Sequence, residues 1–152
     1  MRKPKTLSKK APKKSSRRRA PARKSAARKH AAQLKHVPWS SVELENLNPL
    51  LQRQLMVGDQ VMLARIYLKK GCVVPLHSHH NEQISYVTEG SLVFSIDGRD
   101  LVVNAGEVIA IPAHLPHRVE ALIDSLSLDI FNPPREDWLS GADAYLRGTE
   151  QK

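Results

Sequence analysis

From residue 61 to residue 131 the chain is cut into short apolar runs by glycine, proline and Asp-Gly: VMLARIYL (61–68), ISYVTEG (84–90), SLVFSIDG (91–98), RDLVV (99–103), EVIAIP (107–112), HRVEALI (117–123) and SLSLDIF (125–131). Each run is rich in β-branched residues and too short for a helix, so each reads as a strand. Asp97-Gly98 between two apolar runs predicts a two-residue hairpin, because that turn needs two residues that tolerate positive φ. Seven or eight closely spaced strands with no long helical period argue for an all-β antiparallel sandwich or barrel. Before them, VPWSSVELENLNPLLQRQLMVGDQ (37–60) reads as a docking segment and an opening strand; after them, NPPREDWLSGADAYLR (132–147) turns at Pro133-Pro134 and ends in a short helix.

Charge divides the 152 residues in two. Residues 1–36 hold fifteen Lys or Arg and no acid, whereas the rest holds nine Lys or Arg against fifteen acids. The first segment has two leucines, no aromatics and three prolines, so it cannot bury enough apolar surface to offset its chain entropy and is expected to be disordered. Residues 37–152 form the expected folded domain, with a core at about 50–132. Cations without a fold bind DNA, RNA or other polyanions by counterion release, without sequence readout. The alternatives for the segment are a solvated extension, an upstream start, or a mitochondrial-type presequence, against which lysine dominance and the prolines count. No apolar run reaches the ~20 residues that span a bilayer, and the single cysteine, Cys72, suits a reducing compartment. A cytoplasmic protein, nucleoid-associated through its basic tail, is the expectation.

Between Gly71 and Gly90 lies GCVVPLHSHHNEQISYVTEG, where three of seven histidines fall within four positions. Side chains two apart on a strand share a face, which groups His77 with His79, and Gln83 lies an even number of positions on. Two imidazoles and an amide oxygen make most of a metal site, and His117, opening a later strand, supplies a further ligand. Chance clustering is the bland alternative, but several unpaired imidazoles inside a barrel are costly to bury. Glu82 competes with Gln83 as a ligand; His80 and His114 are expected at the surface or mouth. Three neutral imidazoles and a neutral amide leave the full charge on one divalent ion, Ni, Mn, Fe, Co or Zn, which suits polarising a substrate oxygen. Further on, Asp129 and Phe131 share one face of their strand. From spacing alone, Asp129 either points inward as a proton-transfer group or sits at a strand end on the surface. Arg135 either grips a carboxylate bidentately or pairs with Glu136 or Asp137.

Gly71-x5-His77-x-His79-x3-Gln83-x6-Gly90 resembles the first cupin motif, with Gln83 where glutamate is more usual. Gly106-x5-Pro112-x-His114-x2-His117 resembles the second, with His114 at a usual glycine position and Ala121 where Asn is common. The resemblance covers about residues 50–132 and implies a small double-stranded β-helix (jelly-roll) barrel, with the metal held by His77, His79, Gln83 and His117. HSHHNEQ, IPAHLPHRVEAL and D-x-F-x-P-P-R together are similar to the pectin-degradation cupins of the KdgF type. That likeness implies ring opening or ketonisation of 4,5-unsaturated uronates from pectin or alginate breakdown, with Asp129 as acid/base and with Phe131 and Arg135 contacting the sugar acid. Two other readings stand beside it: a metal-dependent dioxygenase, and a non-catalytic small-ligand sensor whose basic tail reports to nucleic acid. A homodimer is also expected, the outward apolar face of 125–131 suiting that role, unless the same residues pack under Trp39 or Trp138.

Overall fold

A computed structural model describes residues 33–148, which form ten strands in two antiparallel sheets. The strands are β1 Glu45–Asn48, β2 Leu51–Val57, β3 Met62–Leu68, β4 Val73–His77, β5 Glu82–Glu89, β6 Ser91–Ile96, β7 Arg99–Asn104, β8 Val108–Ile111, β9 His117–Ala121 and β10 Ser125–Asn132. One sheet runs β1-β2-β3-β10-β5-β8 and the other β4-β9-β6-β7. The basic segment and its nucleic-acid partner fall on residues 1–36, of which 1–32 lie outside the described residues. None of the described helices is long and apolar enough to cross a membrane.

Period-two alternation decides which face is covered. In β3, Met62, Ala64, Ile66 and Leu68 are buried and the residues between them are not. β10 does the same with Ser125, Ser127 and Phe131 inward, while Ile130 is exposed. The inner faces of both sheets share one core, in which Met62, Val87 and Phe131 from the first sheet join Leu92, Phe94 and Val119 from the second. Truncating a fully buried phenylalanine such as Phe94 to alanine costs about 3–5 kcal/mol.

Two turns carry the left-handed backbone that the sequence asks for. Asp97 (φ 50°) and Gly98 (φ 70°) join β6 to β7 as a hairpin with both central residues at positive φ. Gly90 (φ 83°) lies between β5 and β6, where a Cβ would stand 2.2 Å from Ser125 Oγ and 2.4 Å from the Asp124 carbonyl oxygen, so no side chain fits.

Two features depart from expectation. The opening strand is a hairpin, β1 and β2, whose turn contains Pro49, with Leu50 N–H donating to Asn48 Oδ1 at 2.8 Å. After β10 the chain passes a cis Asn132–Pro133 peptide and the one-turn helix α1, Glu136–Leu139, then returns to the core in a 3₁₀ turn at Ala144–Leu146. Trp138 and Leu146 are buried, and Asn48 Nδ2 donates to the Leu146 carbonyl at 2.8 Å. The C-terminal segment is thus part of the folded body.

Candidate metal centre and ligand cavity

Strand pairing brings the first two histidines together. β4 and β9 are antiparallel neighbours with His77 directly opposite His117, and their ring centroids are 4.3 Å apart. His79 arrives differently from the expectation: β4 ends at His77, so strand parity does not orient it. Its ring is instead turned inward by the loop that follows, 5.7 Å from His77 and 5.2 Å from His117. One ring nitrogen from each of the three lies within 4.8 Å of the others.

The backbone sets the tautomers. His77 Nδ1 lies 2.8 Å from the Pro75 carbonyl, His79 Nδ1 2.9 Å from that of Asn81, and His117 Nδ1 2.9 Å from that of Leu115. A carbonyl only accepts, so each Nδ1 carries the hydrogen and donates it, which leaves the lone pair on Nε2. His79 Nε2 then faces Gln83 Oε1 at 3.0 Å, while Gln83 Nε2 donates to Ser85 Oγ at 2.9 Å and so holds the amide oxygen toward the ring. Two acceptors meet with no hydrogen between them. A shared cation relieves that contact, because ligands at right angles ~2.1 Å from one ion stand about 3.0 Å apart. The residues present therefore fit a divalent ion.

Burial lowers the His77 pKa to about 4, aided by the neighbouring His117, Arg135 and His79 and opposed by the Pro75 carbonyl. Burial also lowers His79 to about 4, aided by Arg135 and His117 and opposed by Gln83 and Asn81. His117 is lowered by burial and Arg135, against the Leu115 carbonyl. All three rings are neutral at pH 7, the form in which imidazole ligates. Gln83 is buried and Glu82 exposed, while His80 and His114 are at the surface.

His77 and His117 open onto a cavity of about 40 Å³. Asp129, Phe131 and Arg135, the other residues expected at the site, line it together with His77, Gln83 and His117. Asp129 lies opposite Ser85 in the β10–β5 pair, and Ser127 Oγ donates to its Oδ1 at 2.6 Å. Burial raises its pKa, while the Ser127 and Ser85 hydroxyls and the Arg135 charge hold it down. Phe131 meets His79 edge-on at 5.7 Å and Trp138 at 5.0 Å.

Arg135 is arranged otherwise than a free bidentate grip. Its Nε and Nη2 donate to Asp137 Oδ1 and Oδ2 at 2.9 and 2.7 Å, so the fork is occupied. Only Nη1 is left, buried and without a partner. The pairing with Asp137 and the position in the cavity, weighed as alternatives from sequence, coexist.

Sequence reasoning missed three lining residues: Arg53, Trp138 and Tyr145. The Tyr145 ring stacks on His77 at 5.0 Å, and the guanidinium carbons of Arg53 and Arg135 lie 4.8 and 4.7 Å from the centroid of the Trp138 ring. A signal for Arg53 existed, since it stands two residues from Leu51 on the inward face of β2. None existed for the other two, whose places depend on how the C-terminal segment packs.

Residues 64–128 match the family described as Cupin domain. Among curated proteins the chain is similar to the pectin degradation protein KdgF of Dickeya dadantii, at 29% identity over 67% of this chain and 91% of that one. Among solved structures it is similar to an RmlC-like cupin from Shewanella frigidimarina, with a TM-score of 0.66 and 29% identity over 70% of this chain and 97% of that one. It is likewise similar to KdgF from a Halomonas species, with a TM-score of 0.66 and 26% identity over 70% and 99% of the two chains.

Proposed function

Because this chain belongs to the cupin superfamily and has KdgF-like relatives, we propose that it is a metal-binding cupin acting on a small sugar acid, opening and ketonising 4,5-unsaturated uronates. His77, His79 and His117 through Nε2, and Gln83 through Oε1, would hold one divalent ion. Bound there, the ion supplies Lewis-acid polarisation of a ligand oxygen.

The remaining chemistry falls to the chain's own side chains. The reaction is an isomerisation. The bond between C1 and the ring oxygen breaks, C1 becomes an aldehyde as its hydroxyl loses a proton, and the ring oxygen takes a proton to become an enol. The enol then gives up that proton while C4 gains one, leaving a ketone at C5, with no atom gained or lost overall. Asp129 is the group that carries these protons: burial raises its pKa, bringing its proton affinity nearer to neutrality, and two serine hydroxyls hold it in place. Arg135 Nη1 holds the uronate carboxylate, and Phe131 offers the sugar ring an apolar face.

The observation that carries this reading is that Asp129, Gln83, two of the histidines and Arg135, whose Nη1 is buried without a partner, line one cavity. The test is turnover of unsaturated galacturonate and mannuronate by protein of measured metal content, beside Asp129→Asn. The variant is expected to keep its metal and lose about 10²–10⁴-fold in kcat. Turnover unchanged in Asp129→Asn removes Asp129 from the mechanism, and absence of turnover by the wild type on either uronate rejects the substrate class.

A further inference from the structure

The walls of the cavity differ in hydrogen-bonding sense. Toward the candidate metal centre they present acceptors: the Nε2 lone pairs, Gln83 Oε1 and the Asp129 carboxylate. Where β2 meets the C-terminal segment they present donors that nothing in the protein receives.

Arg53 and Arg135 are 0% and 1% exposed. Arg53 pairs through Nε with Glu45, and its Nη2 lies 2.7 Å from Asp143 Oδ2, within ion-pair range though off the line of a good hydrogen bond. Its Nη1 has no partner, and neither has Nη1 of Arg135. Tyr145 Oη accepts from Arg135 Nη2 at 2.8 Å and from Trp138 Nε1 at 3.2 Å. Neither group can accept in return, so the Tyr145 hydroxyl hydrogen is also left without a protein acceptor. Buried donors in native proteins are almost always satisfied, and those the protein leaves open are places for an ordered water or a bound group.

We propose that Arg53, Arg135 and Tyr145 form a carboxylate-recognition subsite, in which the two Nη1 groups and the tyrosine O–H share the oxygens of one ligand carboxylate. Charge favours a monoanion over a phosphate. The cations Arg53, Arg135 and Arg147 are matched by Glu45, Asp137 and Asp143, so the subsite offers directed N–H and O–H donors rather than a large excess of positive charge. Arg53 and Tyr145 thereby become specificity-determining residues alongside Arg135. The inference rests on the reading of this cavity as a sugar-acid site, but its test reads binding and is independent of turnover.

Calorimetric titration of the full chain, at measured metal content, with D-galacturonate and with its methyl ester is the experiment. The wild type should bind the acid at least about tenfold more tightly than the ester. Arg53→Lys, which keeps the charge facing Glu45 and Asp143, and Tyr145→Phe, which keeps the ring on His77, should each bind the acid about tenfold more weakly and leave the ester within threefold. Folding of both variants is checked by thermal melts, and Tyr145→Phe alone decides if Arg53→Lys melts early. Acid and ester bound equally by the wild type, or the acid bound equally by wild type and Tyr145→Phe, overturns the subsite. Tight acid binding without turnover of unsaturated uronates upholds it while removing the proposed reaction.

Discussion

Acidifying the metal-free protein should unfold it, and the site geometry gives the size of the effect. His77 and His79 each have a folded pKa of about 4 against an ordinary 6.5. Between those values the unfolded chain binds protons that the folded chain does not, so stability is fully present above pH 6.5 and falls as pH drops toward 4. A difference of 2.5 units at 1.36 kcal/mol per unit gives about 3 kcal/mol per ring, on the order of 6 kcal/mol for the pair. Asp129 works in the opposite sense, because a raised carboxyl pKa contributes stability that is full below 3.8 and lost as pH rises through the folded value. One carboxyl only partly offsets two rings, and a domain of this size has roughly 5–15 kcal/mol in total. Urea unfolding in chelator, followed by the fluorescence of the buried Trp138, should therefore show the midpoint falling steeply from pH 7 to pH 4.5. An unfolding free energy equal at both pH values would refute the buried, neutral placement of the two rings.

Other outcomes follow from the same geometry. A divalent ion at a hundred times its Kd should stabilise the folded state by about 2.7 kcal/mol and raise Tm by about 10 °C in a thermal melt, an increase that His117→Ala should abolish. Cys72, fully buried with its thiol pKa pushed up to about 11, should resist thiol reagents at pH 8 and react at once in denaturant, as a colorimetric thiol assay would read. Gly90→Ala should cost at least about 2 kcal/mol in urea unfolding, because both its φ and the nearby Ser125 and Asp124 atoms exclude a Cβ.

What the sequence could convey divides along the range of the interactions. Asp97-Gly98 was legible because a two-residue hairpin depends only on local backbone preference. His77, Gln83 and His117 were legible as candidates from their spacing, although Gln83 stands on β5, in the other sheet from β4 and β9; parity paired Asp129 with Phe131 but left open whether their face turns inward. His79 was legible as a neighbour of the others but for an incomplete reason, since a loop and not the strand turns it inward. The β1–β2 hairpin merged into one strand in the reading because its turn lacks the glycine or Asn-Gly signal. Arg53 shares the inward parity of Leu51 in LQRQLMV, but an arginine between two glutamines looks like ordinary surface polarity. Only the segment ending at Leu146 shows why it is buried, and that packing is long-range, through Trp138 above it and Asp143 beside it.

The division of labour between strands and C-terminal segment has an evolutionary consequence. His77, His79, Gln83 and His117 belong to the sheets and the loop between two of their strands, held by backbone carbonyls and strand register. Arg135, Trp138 and Tyr145 belong to the stretch after β10, fastened to β1 and β2 by Asn48–Leu146 and Arg53–Asp143. Grafting a different ending onto this scaffold would rebuild one wall of the cavity while the arrangement of the three histidines stayed whole, so tail exchange alone could change which molecule fits beside them.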